Sequence, residues 1–301
     1  MFHISSGAKS MRSGFDKLVS RSPREVFYYL RRKVAGREKL REFSDKRVCL
    51  FVLSTGRVGT ETLAALLGLA RNVIAYHEPR PLLYGLSKFS YEYSDNADVS
   101  KVLQEAFFVA RQELMKRSLD YDMGYVESSP QVTFLAPFIQ KAVPNVRFIH
   151  LVRDPRDVIR SGMRRKWYEG HGADKTRIIP RPDSSAAREW ESYSAFKKNL
   201  WLWNETNSWI LKFTSGMPAE RILLLHSEDV FEASPEALKK LFTFAGSSLP
   251  PIRRIAHVLG KKLNRQKTGT FPESEVWSNE MRRDLLNIAG RTAQILGYDF
   301  N

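Results

Sequence analysis

A short, uninterrupted apolar run, Val48-Cys-Leu-Phe-Val-Leu53, constrains this chain more than any other feature. It shows no polar alternation, which suits a parallel strand covered on both faces rather than a strand with one wet face. Parallel strands need crossover connections, usually helical, and the sequence after residue 53 supplies them. The pattern predicts a Leu/Ala-rich helix over Thr62–Ala70, a strand at Val73–Tyr76, a helix over 99–118 and a weaker strand at Gly124–Glu127. A helix through Phe134 and Ile139 follows, then a strand at Val146–Val152 and a helix from Asp157 to Trp167. Beyond a loop at 168–183 come a long helix over 186–214, a strand at Ile222–Leu225, a helix over Pro235–Ala245 and a last helix over 279–296. Alternation of this kind, without internal repeats, predicts an α/β fold: a doubly wound parallel sheet flanked by helices, built as a single domain over 47–301.

Residues 1–46 are read separately, as a basic N-terminal helical arm. Ser22-Pro23 has the form of a helix start, Val26, Phe27, Leu30 and Val34 form an apolar stripe, and Gly36 is the stop. The first 47 residues hold 13 Lys and Arg against 5 Asp and Glu, in a chain whose net charge is +15. The arm reads either as a solvated helix packed on the domain through its stripe or as a basic segment resting on an acidic membrane surface. The overall charge points to polyanionic partners: nucleic acid, acidic lipid, or ligands bearing phosphate and sulfate. A single cysteine, Cys49, excludes an intrachain disulfide framework and a cysteine-cluster zinc site, and a buried strand residue is expected there. No apolar stretch has the form of a secretory signal or a membrane span, so a cytoplasmic location, peripheral at the membrane through the arm, is expected. The six histidines are scattered and none forms a metal-binding pair, so no metal is expected.

Two segments carry chemistry. The first is Leu53-Ser-Thr-Gly-Arg-Val-Gly-Thr-Glu-Thr62, between strand and helix. A glycine-bearing turn that opens a helix offers backbone N–H groups and the positive dipole end to an anion. Gly56 and Gly59 let the backbone approach closely, Arg57 adds a forked cationic donor, and Thr60 and Thr62 add hydroxyls. The segment lacks the Gly-Lys-[Ser/Thr] of an ATPase P-loop, and Glu61 would repel a triphosphate. The second segment is Phe148-Ile-His-Leu-Val-Arg-Asp-Pro-Arg-Asp-Val-Ile-Arg-Ser161. Arg153 falls at a strand end, where open α/β sheets bind ligands, and Ser161 follows on the next helix. Asp154 and Asp157 are placed to hold neighbouring arginines; taken alone, the run reads equally as a surface salt-bridge cluster.

Together the two segments resemble the signatures of the family of sulfotransferases that use 3′-phosphoadenosine-5′-phosphosulfate (PAPS). The resemblance covers roughly 47–300 and implies a P-loop-like sheet. In that family [Lys/Arg]-x-Gly-Thr grips the 5′-phosphosulfate, and an Arg-Asp-Pro-Arg-Asp strand end with a later serine grips the 3′-phosphate. The resemblance assigns Arg57, Val58, Gly59, Thr60, Glu61 and Thr62 to the 5′ side and Arg153 and Ser161 to the 3′ side. Asn264-Arg-Gln-Lys-Thr-Gly269, followed by Trp277, resembles the basic glycine loop that closes over the nucleotide, with Arg265, Lys267, Thr268 and Gly269 as its contacts. The chain departs from the pattern at Val58, where serine is common, and at Glu61, where threonine is common. Glu127-Ser-Ser-Pro130 lacks a lysine often found there.

Sulfuryl transfer to an alcohol needs a base at the acceptor and a cation at the leaving group. Arg57 suits the second role. The base is expected in Tyr76-His-Glu-Pro-Arg80: carbohydrate-type family members carry a glutamate at this strand end, which implies Glu78, and His77 is the alternative because neutral imidazole is a competent base. The two adjacent residues of an extended segment cannot both face the cleft. Residues 80–120 and 164–185, with Tyr84, Phe89, Tyr91, Tyr93, Trp167, Tyr168 and His171, are the expected lids over the acceptor, which the resemblance makes a glycan or glycolipid. Trp201, Trp203 and Asn204 read as packing residues. The competing functions are a P-loop kinase-like phosphotransferase, and a basic protein that binds nucleic acid or another polyanion; no specific nucleic acid is expected.

Overall fold

The computed structural model describes residues 46–93, 96–261 and 269–300. The arm expected over 1–46 lies outside them except for Lys46, as do Arg265, Lys267 and Thr268. Five strands, β1 (Cys49–Leu53), β2 (Val73–His77), β3 (Gly124–Ser128), β4 (Arg147–Val152) and β5 (Ile222–His226), form one sheet in the order β2-β3-β1-β4-β5. Every pairing is parallel, with Phe51 opposite Phe148 and Val52 opposite Ile149 at the centre.

The helices are α1 (Thr60–Leu67), α2 (Tyr84–Tyr93), α3 (Ala97–Asp120), α4 (Ala136–Ala142), α5 (Pro155–Arg164) and α6 (Ser185–Glu189). They continue with α7 (Ala195–Thr214), α8 (Ser227–Phe231), α9 (Pro235–Phe244), α10 (Ile252–Gly260) and α11 (Asn279–Ile295). Alternation along β1 sends Leu50 and Val52 to one face, against Leu63 and Leu66 of α1, Leu241 of α9 and Ala289 of α11. Cys49, Phe51 and Leu53 go to the other face, against Leu103 and Phe107 of α3 and Phe138 of α4. Both faces are thus covered, the reason β1 tolerates no polar residue. Burial also pushes the Cys49 thiol up to about 12, so it is an inert core group.

One expected element is corrected. Residues 186–214 do not form a single helix: α6 is followed by a 3₁₀ turn at Trp190–Ser192, and α7 starts afresh at Ala195. Ser194 caps α7 by accepting from the Lys197 N–H at 3.3 Å. Trp190 turns inward to meet Trp201 edge-on, with ring centroids 5.0 Å apart, and this contact folds the segment back. Trp190 belongs to a third cluster with Tyr91, Phe134, Trp167, Ile178 and Trp201, which underlies the loop after α5.

The sheet order fixes where a ligand can sit. The connection leaving β1 runs toward β2 on one side, and the connection leaving β4 runs toward β5 on the other. Adjacent strands whose connections diverge open a crevice at their carboxyl ends. Ser54 and Arg153 are the first residues beyond the two strands.

Candidate active site

The turn from β1 into α1 is held from beneath. Thr133 donates to the Ser54 carbonyl and accepts from the Ser54 N–H, both at 3.0 Å, and the Ser128 hydroxyl donates to the Thr60 carbonyl at 2.8 Å. Gly56 and Gly59 have φ of +81° and +88°, the left-handed region that glycine enters without strain. Gly59 is the N-cap of α1 and provides no side-chain cap, so the helix's leading N–H groups face the crevice uncapped by it. Val58 is fully buried, and its contribution to this turn is its carbonyl, which accepts a hydrogen bond from Ser227. Thr60 and Thr62 are buried on the first turns of α1, and Thr60 lines the cleft beside Gly56 and Arg57.

Arg57 has a left-handed backbone, φ +61°, and reaches across to α5, where its Nε donates to Ser161 Oγ at 2.9 Å. Burial pulls its guanidinium down to about 10, helped by the positive charges of Arg165 and Arg153 and opposed by Glu78 and Glu61. Three arginines that disfavour one another's charge share one region, an arrangement that an anion relieves. Glu61 remains half-buried in the first turn of α1 and enters as a counter-charge to Arg57.

Arg153 emerges from β4 and bonds Asp157 on the first turn of α5 through Nε and Nη2, at 3.1 and 2.7 Å. Asp154 caps α5, accepting from the Arg156 N–H at 2.8 Å, and pairs with the Arg156 side chain at 2.6 Å. Both aspartates therefore hold neighbouring arginines, as their spacing suggests. The Arg153 carbonyl accepts from Trp203 Nε1 at 3.0 Å, so the packing residue Trp203 also fixes this strand end. Phe231 of α8 lies between the two segments: its ring is 5.6 Å from the Arg153 guanidinium, and a Cβ on Gly59 would overlap it. Gly269 docks on α5, where its carbonyl accepts from Arg164 Nε at 2.9 Å and a side chain would run into the Arg164 backbone.

Glu78 follows β2 with φ +42°, a left-handed backbone rare for glutamate, and lines the same cleft as Arg57. The Tyr84 hydroxyl donates to Glu78 Oε1 at 2.9 Å. Burial, and then the Glu78 charge, push the Tyr84 phenol well above its ordinary range, so it stays a donor. His77 takes the other direction: its Nδ1 donates to the Ser128 carbonyl at 2.8 Å on the neighbouring strand. Lys166 and Tyr168, at φ +56° and +64°, flank Trp167 on the cleft wall. Non-glycine residues in this conformation concentrate at functional sites, and of the six among the described residues two, Arg57 and Glu78, line one cleft and two more flank its Trp167. Beneath it, Arg111 and Glu127 form a fully buried bidentate pair at 2.7 and 2.9 Å, and Arg111 Nη1 donates to the Pro81 carbonyl at 2.9 Å. That contact ties the segment after Glu78 to β3.

The cleft also contains Ser54 and Thr55 of the first motif, together with Lys88, Arg165, Arg177 and Thr206, which no motif marked. In a chain with 48 Lys and Arg a lone arginine carries no signal. Among the described residues no group of three or more His, Cys, Asp or Glu could hold a metal ion, and no helix is long and apolar enough to cross a membrane.

Comparison with known proteins adds the family. Residues 50–251, more than half the chain, match the sequence profile of the Sulfotransferase family. No curated protein sequence matches the chain. Solved structures similar to it include a sulfotransferase domain from the curacin biosynthetic pathway, 16% identical, covering 85% of this chain and 99% of that one with a TM-score of 0.49. A sulfotransferase from Mycobacterium tuberculosis is 10% identical over 84% of this chain and 80% of its own, with a TM-score of 0.48. Retinol dehydratase in complex with androsterone and inactive cofactor PAP is 15% identical over 88% and 87%, with a TM-score of 0.45. On the profile match, which covers more than half of it, the chain belongs to the PAPS-dependent sulfotransferase family.

Proposed function

We propose that the chain transfers the sulfuryl group of PAPS to a hydroxyl of a glycan or glycolipid, with Glu78 as the base. The observation that carries the reading is that Arg57 and Glu78 line one cleft, each on a left-handed backbone, at the ends of two strands of the same sheet. PAPS supplies an activated sulfuryl group with adenosine 3′,5′-bisphosphate (PAP) as its leaving group.

The residues fit such a donor. Gly59, Thr60, Thr62 and the start of α1 form a cradle for one anionic end, with Val58 and Glu61 contributing backbone. Arg57 sets a positive charge where the leaving oxygen gathers negative charge. Arg153 and Ser161 serve the second phosphate, and by the family resemblance alone Arg265, Lys267, Thr268 and Gly269 belong to the loop that contacts the nucleotide. Glu78 takes the proton of the acceptor hydroxyl, and Tyr84, bonded to one of its oxygens, leaves the other to face the acceptor. The glycan or glycolipid acceptor rests on the family resemblance and on the aromatic walls at Tyr84 and Trp167. The basic arm, set against an acidic membrane surface on the cytoplasmic side, belongs to the same proposal and rests on its charge.

The test is a thermal-shift titration with PAP beside ATP and magnesium. A ligand at 100 times its Kd adds about 2.7 kcal/mol, a rise of a few degrees for a chain of this size. A rise with PAP alone is expected; a rise with ATP alone would move the protein to the kinase-like reading.

A further inference from the structure

The cleft carries cationic side chains beyond those at the donor end. Arg57, Arg153 and Arg165 act on one another at the donor side. A second cationic group lines the same cleft as Glu78. Arg177 lines the cleft with its side chain only 13% exposed, its guanidinium 3.8 Å over the Trp167 ring and its Nε donating to Asp174 at 2.9 Å. Tyr84, which bonds Glu78 at 2.9 Å, lines the same cleft as Arg177. Lys88 lines the same wall, with its Nζ on the Lys175 carbonyl at 3.2 Å and 3.8 Å from Glu92.

Asp174 compensates the buried Arg177 guanidinium through Nε, and a second anion would have to meet it at the Nη edge. A guanidinium stacked on an indole is held by its face and presents its N–H groups at its edge, the geometry that takes a carboxylate, phosphate or sulfate side-on. A neutral sugar hydroxyl needs only an amide or a hydroxyl as partner.

Accepting the sulfotransfer reading, on which this step rests, we propose that the acceptor is acidic: it carries a carboxylate, phosphate or sulfate near the reacting hydroxyl, and Arg177, assisted by Lys88, recognises that group. Arg177 is then the residue that separates acidic from neutral acceptors.

The test uses the full chain saturated with PAP, titrated calorimetrically with p-nitrophenyl β-D-glucoside, the matching glucuronide and the glucoside 6-phosphate. These differ only in the group at C6, and the last two separate carboxylate from phosphate recognition. At least one acidic probe is expected to bind about tenfold or more tightly than the glucoside. Arg177→Gln is expected to bring that ratio close to one, and Lys88→Gln to reduce it in part, while both variants keep the PAP thermal shift. If Arg177→Gln fails to fold, the wild-type ratio and Lys88→Gln decide the matter. Equal binding of all three probes, preference for the glucoside, no binding of any probe, or a ratio that survives Arg177→Gln would each overturn the inference with the donor reading intact. Absence of a PAP shift in the wild type would overturn the donor reading, and this inference with it.

Discussion

Arg57 donates from Nε to Ser161 Oγ at 2.9 Å, so one hydrogen bond joins the turn after β1 to the second turn of α5. The two segments that resemble the 5′ and 3′ donor contacts are therefore one connected unit. Arg57→Ala removes a charged donor worth about 1.5–3 kcal/mol, and the Kd for PAP should rise roughly 10- to 100-fold. Ser161→Ala keeps the charge but frees the guanidinium, and a rise of about 5- to 10-fold is expected. Because each residue acts through the other, the double variant should resemble Arg57→Ala alone. Calorimetric Kd values that simply add would contradict the coupling.

Glu78→Gln keeps the shape of the side chain and removes its ability to take a proton. Turnover should fall by about 100-fold or more while the PAP shift stays unchanged. Tyr84→Phe removes one hydrogen bond to the carboxylate; kcat should drop about tenfold, again with unchanged PAP binding. His77 offers a contrast, since its Nδ1 is committed to the Ser128 carbonyl. His77→Ala is expected to lose stability more than rate, and the opposite result in a paired kinetic and unfolding experiment would transfer the base to His77.

How far the sequence alone reaches is visible in these same residues. β1 and β4 are legible because burial on both faces leaves a run of apolar side chains, and Arg57 and Arg153 because they stand next to those runs. Ser194 is a capping residue, yet the break at 193–194 is hidden, since it depends on Trp190 meeting Trp201. α8 is five residues long and too short to show a helical period. Arg165 and Arg177 escape notice for a different reason. Their surroundings come from α1, α2 and the turn after β2, brought together only by the tertiary fold. Phe231 is similar, an ordinary aromatic until the Gly59 backbone is seen against its ring.

Arg111 and Glu127 are both fully buried, and the pair is satisfied by two mutual hydrogen bonds, with Tyr125 donating to Glu127 at 2.7 Å. Arg111→Met leaves an uncompensated carboxylate and should destabilise the chain by about 3–5 kcal/mol. Arg111→Met combined with Glu127→Gln should recover much of that loss in urea unfolding. It should still show a lowered kcat, because the Pro81 carbonyl, three residues past Glu78, has lost its Arg111 partner.

His150 is buried on β4 and donates from Nε2 to Asn207 Oδ1 at 2.8 Å. Burial lowers its pKa from 6.5 to about 4, with the Asn207 bond opposing the shift in part. Between those values the unfolded chain takes up a proton that the folded chain refuses. The stability is present in full above pH 6.5 and is lost as the pH falls toward 4, by about 3 kcal/mol in all. His150→Gln, which keeps a donor for Asn207, should flatten that part of the curve. Matching wild-type and variant slopes in urea titrations from pH 7 to pH 4 would exclude the histidine as their source.

Gly59 has φ +88° and faces Phe231, which also lies against Arg153. Gly59→Ala meets two separate penalties. The left-handed backbone costs about 1–2 kcal/mol for any side chain, and the new methyl must displace the Phe231 ring. Phe231→Ala removes the second penalty and not the first. The single Gly59→Ala variant should lose most PAP affinity, since the loop carries both the α1 N-terminus and Arg57. The Gly59→Ala/Phe231→Ala double variant should regain part of its thermal stability relative to Gly59→Ala. Without such a gain, the backbone conformation alone sets the requirement for glycine, and Phe231 plays no part in it.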